Sequence, residues 1–266
     1  MVIEPPRSAT NGPPTLSCRW ARTDFVTHLL AGLGSFPGYF RRLPSINQDG
    51  RPLYDDVPHL AQLTLGEVDR LVSDGAAIVD ARKIAAFSAG HIPGSLSIEL
   101  RPVFASWLGW LTDLDQPVVF VLDDDQDEPD LVRQALTVGH DSLTVGHDSL
   151  AGRLSGGVDA WVGAGRPVSS IPLVAADALE GPVLDIRQDN EWAAGHIPGA
   201  FHVELGKVSD LSPADVPDGP LTVMCGHGER AMTAASILQS AGREVSVLAG
   251  GPGDWVAITG TPLTTT

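Results

Sequence analysis

The chain has 266 residues, 43% of them hydrophobic, and a net charge of −16. That length suits roughly two domains, no apolar run reaches the ~20 residues of a membrane helix, and the opening MVIEPPRSATNGPP has no apolar leader stretch. The acid excess lies in residues 61–171 and 172–266; such faces repel nucleic acid and anionic lipid, so neither partner is expected, and acidity serves first to keep the protein soluble. With only Cys18 and Cys225, distant in sequence, no disulfide framework is expected, which favours a reducing, cytoplasmic setting.

Residues 1–23 carry Pro, Ser and Thr without periodicity and are expected to be disordered. Asp24 takes an N-cap position before the apolar pattern that runs to Leu30. The turn- and aromatic-rich SFPGYFRRLPSINQDGRPLYDD follows, predicted as an extended lead-in, so that residues 24–60 form one segment. Thr64-Leu65-Gly66-Glu67 matches a capping box for a helix through Val72.

From there the chain repeats itself. Ala76–Leu100 (AAIVDARKIAAFSAGHIPGSLSIEL) realigns with Gly181–Leu205 (GPVLDIRQDNEWAAGHIPGAFHVEL), and Leu154–Trp161 realigns with Leu248–Trp255. Each copy reads as strand, turn, HIPG loop, second strand, helix, third strand, paired-glycine turn and Trp-bearing helix. Strands alternating with helices predict a parallel α/β sheet in each copy, with a boundary near Ile171-Pro172. His91 and His196 read as parts of shaped turns rather than as chemical groups. The pairs Gly156-Gly157 and Gly250-Gly251 suit close backbone approach, and Trp161 and Trp255 suit core anchoring. Arg187 and Glu191, four apart, are placed for a helix-face ion pair.

The chemistry concentrates in LTVMCGHGERAMTAA, Leu221–Ala235. A strand over Leu221–Met224 ends at Cys225, and Cys225-Gly226-His227-Gly228-Glu229-Arg230 lead into a helix pattern over Ala231–Ser240. A cysteine there meets unpaired amides and the positive end of a helix dipole, an environment that favours thiolate. Gly226 and Gly228 let amides converge as an anion nest, and Arg230 adds a cation. A lone cysteine at a strand end is ordinarily structural; the glycines, the arginine and the following helix favour a reactive one.

These elements, D-x-R, GHIPG(A/S), strand-loop-helix and L-x-GG-x-x-x-W in duplicate, resemble tandem rhodanese domains over about residues 61–262. The resemblance implies an α/β fold of two rhodanese-like domains, each a parallel β-sheet flanked by helices, over 61–171 and 172–266. It implies that Cys225 is the catalytic nucleophile and that Gly226, His227, Gly228, Glu229 and Arg230 form the persulfide-binding loop. It implies sulfur transfer by double displacement: the Cys225 thiolate takes the outer sulfane sulfur of thiosulfate or a persulfide. The resulting persulfide then passes it to cyanide, a small thiol or a protein thiol. No cofactor and no metal are expected.

Four residues separate Cys225 from Arg230, a tight cradle for sulfur. Tyrosine phosphatases and arsenate reductases use five, so both rank lower. A redox-sensing interaction module built on an oxidisable Cys225 is the main alternative. Glu229 in the cradle opposes a dianion, so a persulfide is expected to be a better donor than thiosulfate.

The first copy departs at the chemistry loop, where Asp123-Asp124-Asp125-Gln126-Asp127-Glu128 holds no cysteine and five acids. It cannot stabilise a thiolate, and its spacing lacks the Gly and terminal Glu of a calcium loop. This copy is expected to be non-catalytic and to wall one side of the cleft. It also carries TVGHDSL twice, Thr137–Leu143 and Thr144–Leu150; the second heptad is expected to supply the helix exit, with the first as an insert. The lead-in DFVTHLLAGLGSFPGYFRRLPSINQDG resembles the tail of metallo-β-lactamase-fold hydrolases fused to rhodanese domains. No His-x-His-x-Asp-His stretch accompanies it, so it reads as a remnant packing on the first domain, with a docking surface for a separate hydrolase as the alternative.

Overall fold

Each repeat is built around a strand buried on both faces: Val118–Val121 in the first and Leu221–Met224, with Thr222 as its one polar residue, in the second. Near-continuous apolar runs of this length belong to parallel strands covered on both faces. The computed structural model describes residues 26–27, 37–44, 48, 56–140, 150–212 and 215–265. The chain divides into Met1–Ser35 and Phe36–Thr266. Of the first unit Val26 and Thr27 are described, both helical, so the rest of the Asp24–Leu30 helix and Cys18 lie outside the described residues.

The first repeat runs β1 (Gln62–Leu63), α1 (Leu65–Ser73), β2 (Ala77–Asp80), α2 (Ile84–Ala89), β3 (Leu96–Ser97), α3 (Phe104–Leu111), β4 (Val118–Val121), α4 (Glu128–Val138), β5 (Leu150–Leu154) and α5 (Gly157–Gly163). The second runs β6 (Leu173–Val174), β7 (Val183–Asp185), α6 (Asp189–Ala194), β8 (Phe201–His202), β9 (Leu221–Met224), α7 (Glu229–Ser240), β10 (Val245–Leu248) and α8 (Pro252–Thr259), with 3-10 turns at Ala176–Ala178 and Leu205–Asp210. The sheets have the same order, β1-β5-β4-β2-β3 and β6-β10-β9-β7-β8, and every strand pair is parallel. The duplicated pattern has become a duplicated sheet.

Local sequence explains several boundaries. The Glu67 carboxylate accepts from the Thr64 N–H at 2.8 Å and its hydroxyl at 2.7 Å, fixing the start of α1. The D-x-R motif has a structural task in both copies. Arg82 forks onto buried Asp80 (2.7 Å) and donates to the Gly90 carbonyl (2.8 Å); Arg187 does the same to Asp185 (2.6 Å) and Gly195 (2.8 Å). Each guanidinium thus ties a strand end to its GHIPG turn, and burial pushes the Asp80 carboxyl up against the pull of Arg82. The predicted Arg187–Glu191 helix-face pair does not form. Arg187 precedes α6, and its fork is taken by Asp185 at the end of β7.

Two further expectations are corrected. The first heptad, not the second, supplies the helix exit: α4 ends at Val138 and Gly139 closes it in the left-handed conformation, φ 106°. A glycine free to adopt positive φ stops the helix at the first opportunity. Residues 141–149 lie outside the described ones, and Leu150 of the second heptad opens β5. The lead-in is not extended throughout, because Gly38–Arg41 form a 3-10 turn that sets Tyr39 against α3, where a Cβ on Gly109 would meet its ring at 2.6 Å.

The two repeats share packing. Phe87 of α2 lies in the core of the second repeat with Leu184, Ile186 and Met232. The Ser97 N–H donates to Ser236 Oγ at 3.1 Å, joining β3 to α7. His91 stacks on Phe87, with Nδ1 2.8 Å from the Phe87 carbonyl and Nε2 2.9 Å from Gln239 Oε1 of α7. His196 stacks on Trp192 at 3.5 Å. Both histidines therefore serve their turns. Among the described residues, no helix is long and apolar enough to cross a membrane.

Candidate active site

Cys225 leaves the C-terminal end of β9, the end at which ligands meet open parallel sheets. It is 1% exposed. Its Sγ accepts the Gly228 N–H at 3.1 Å. Gly228 makes this possible by adopting φ 109°, a conformation side chains rarely allow. The helix that follows, α7, begins at Glu229, two residues before the predicted start, so Glu229 and Arg230 are its first residues rather than loop. The first amides of a helix lack partners within it, and here they begin one turn from the sulfur.

The loop is held from three sides. Beneath it, the paired-glycine turn approaches so closely that a Cβ on Gly251 would lie 2.2 Å from the Gly226 carbonyl oxygen. Gly157 has the matching place in the first repeat, where a Cβ would lie 3.1 Å from the Leu122 carbonyl oxygen. Beside the loop, the first repeat contributes Ile84, whose Cδ1 would be 3.1 Å from a Cβ on Gly228. Across the loop, a Cβ on Gly226 would be 3.5 Å from Arg230 Nη2. His227 is exposed.

Arg230 does not stand as an isolated cation. Its Nη1 and Nη2 donate to Glu191 Oε2 and Oε1 at 2.7 and 2.8 Å, a bidentate pair reaching from α7 to α6. The pair holds the Glu191 carboxyl below the usual carboxylate range despite partial burial, and holds the Arg230 guanidinium yet more firmly protonated. Glu191 also accepts the Gln188 N–H at 3.1 Å, which anchors it to the start of α6. Sequence reasoning missed this residue as a site component because the spacing to Arg187 suggested another partner. At the rim, Lys83 binds Glu99 at 2.7 Å, and that carboxylate first, with Glu229 further off, holds the ammonium more firmly protonated.

In the first repeat the corresponding positions carry different chemistry. The register that sets Asp185 beside Met224 sets Asp80 beside Val121, so Leu122 stands where Cys225 does. Gln126 ties the acidic loop back to the Ala81 carbonyl at 2.8 Å, Asp127 caps α4 through the Asp130 N–H at 2.9 Å, and Arg153 binds Glu128 at 3.1 Å. The loop is thus braced by its own side chains.

An all-parallel α/β sheet with a cysteine loop between a strand end and a helix N-terminus defines the class, and comparison with known proteins gives the family. The family model of the Rhodanese-like domain matches residues 64–164 and again 173–258. The chain belongs to the rhodanese-like family, twice over. It is 42% identical over 75 residues to the thiosulfate sulfurtransferase GlpE of Pseudomonas fluorescens (strain SBW25), covering 27% of this chain and 69% of that one. It is 36% identical over 77 residues to the protein of the same name from Pseudomonas aeruginosa (strain LESB58), covering 29% and 70%. Among solved structures, the thiosulfate sulfurtransferase of Pseudomonas aeruginosa is 20% identical, with a TM-score of 0.31 over 74% of this chain and 44% of that one.

Proposed function

We propose that this protein is a sulfurtransferase that carries sulfane sulfur as a persulfide on Cys225. The observation that carries the reading is the Gly228 N–H aimed at Sγ at 3.1 Å, beside the start of α7. A donor amide and a helix N-terminus stabilise anionic sulfur on either a thiolate or a persulfide. In the first half-reaction Cys225 thiolate attacks the outer sulfur of thiosulfate, forming Cys–S–S⁻ and releasing sulfite, or takes the outer sulfur of a persulfide and releases a thiolate. In the second, cyanide, a small thiol or a protein thiol takes that sulfur and Cys225 thiolate returns. The loop residues Gly226, His227, Gly228, Glu229 and Arg230 form the cradle. Glu229 weighs against a dianion, so a persulfide is the better donor in this reading.

The first domain is non-catalytic here and acts as a wall, with Leu122 in the cysteine position and Ile84 against the loop. Within the lead-in, Tyr39 packs against α3 of that domain.

The test is intact-mass analysis after exposure to thiosulfate or glutathione persulfide, for the wild type and Cys225→Ser. A gain of one sulfur that needs Cys225 and is removed by cyanide supports the reading. No adduct from either donor refutes it and moves the function to a redox-sensing module, whose mark is peroxide-driven sulfenic acid without sulfur turnover.

A further inference from the structure

We propose that Glu191 acts with Glu229 in setting donor charge preference, because its bidentate pairing neutralises Arg230 at the edge of the Cys225 cradle. The proposal rests on the persulfide reading and adds to it a residue outside the loop, 39 positions away in sequence from Arg230.

The geometry carries the argument. Arg230 is the cation of the cradle itself: its guanidinium lies across Gly226, and both terminal nitrogens are engaged by one carboxylate at 2.7 and 2.8 Å. The other cations around the loop are paired in the same manner, and a nearby carboxylate is bound to backbone. From the end of β7, Arg187 is locked to Asp185; from the first repeat, Lys83 is locked to Glu99; from α8, Asp254 accepts the Gly251 N–H at 2.8 Å. Glu229 adds a negative charge at the first position of α7, and His227 lies on the exposed side of the loop. What remains to hold anionic sulfur is the amide set, which suits one negative charge better than two. A guanidinium without its carboxylate would favour a dianion.

The first repeat supports the assignment independently. Aligning the GHIPG turns sets Ala86 against Glu191, and aligning the helix starts sets Pro129 against Arg230, with Leu122 against Cys225. The acid, the base and the thiol are all absent from the same copy, as expected of one functional unit. Glu191 is a positioning residue: it acts on the reaction through Arg230 and does not itself touch the sulfur.

The test compares two sulfane donors that deliver the same sulfur and differ by one charge, thiosulfate and methanethiosulfonate, which release sulfite and methanesulfinate. The kcat/KM ratio of thiosulfate to methanethiosulfonate, with cyanide as acceptor, is measured for the wild type, Glu191→Gln and Glu191→Asp. Glu191→Gln is expected to raise the ratio by up to about tenfold, the scale of removing one unit charge from a partly screened site. Added salt should shrink that gain, and Glu191→Asp should keep the ratio near wild type. A ratio within about twofold of wild type in Glu191→Gln, or an equal rise in Glu191→Asp, overturns the assignment while leaving Cys225 transfer intact. Wild-type enzyme inactive with both donors would instead sink the underlying reading. Should Glu191→Gln fail to fold, Arg230→Met decides: the unpaired Glu191 should then lower the ratio, and an unchanged ratio overturns the proposal.

Discussion

Substituting Gly251 by alanine tests whether the paired-glycine turn holds the Cys225 loop in its working position. Gly251 has φ −134°, so its backbone accepts a side chain, and the obstacle is contact alone. The new Cβ would stand 2.2 Å from the Gly226 oxygen, 2.9 Å from its carbonyl carbon and 3.1 Å from the Cys225 oxygen. A carbon–oxygen contact settles near 3.3 Å, so one backbone must retreat by about 1 Å. Overpacking of that kind costs about 1–3 kcal/mol, and a 1 Å displacement of a reacting group costs about 10²-fold in rate. We therefore expect Gly251→Ala to lose about 1–3 kcal/mol in urea unfolding and about 10²-fold in the rate of sulfur loading on Cys225, read by time-resolved intact mass. Gly253→Ala is the control. Nothing lies within 4 Å of its Cβ, and it sits inside α8, so it should load sulfur normally and be at most about 1 kcal/mol more stable. A Gly251→Ala protein with wild-type loading and stability would refute the account of how the loop is held.

Introducing Leu122→Cys into the Cys225→Ser protein should not restore sulfur loading, because the first-repeat loop surrounds that position with carboxylates; a sulfur adduct mapped by mass to the introduced thiol would contradict this. Gln239→Ala should destabilise the protein by about 1–3 kcal/mol in urea unfolding, since buried His91 Nε2 loses its partner across the two repeats; an unchanged midpoint would show that the contact carries no stability. Stability should also fall on acidification through Glu191. Its carboxyl is held below the ordinary value in the folded state, so the Arg230 pairing is fully present above about pH 4.3 and is lost as pH falls further, through the folded value. The Tm of the wild type should therefore drop more steeply below that pH than the Tm of Glu191→Gln, and parallel profiles would count against it. Because Glu191 is partly exposed, the difference should be small and should shrink with salt.

Much of this architecture is legible in residue order. Val118–Val121 and Leu221–Met224 announce buried parallel strands by lacking a polar alternation, and Thr64 with Glu67 announces the start of α1 through contacts three residues apart. The D-x-R, GHIPG and paired-glycine elements mark positions where a strand end, a turn and a backbone must meet, and their recurrence in order predicts two like sheets. Such features are local: the residues that make the contact lie within one turn, or the sequence repeats the whole unit. Cys225 followed by two glycines, an arginine and a helix belongs here too, since the Gly228 amide and the start of α7 beside its sulfur lie within four residues of it.

What the tertiary structure alone decided are the choices among partners. Arg187 had Glu191 at helical spacing and took Asp185, and Arg230, with no obvious partner nearby in sequence, took Glu191. Gly139 ended α4 in the first heptad although a second copy followed. Ile84 reached the Cys225 loop and His91 reached Gln239, each from one repeat to the other. Spacing along the chain tells which contacts a helix or a strand permits. Which of two permitted ion pairs forms depends on where the crossovers of a parallel sheet bring distant side chains, and that is settled only when the sheets are assembled.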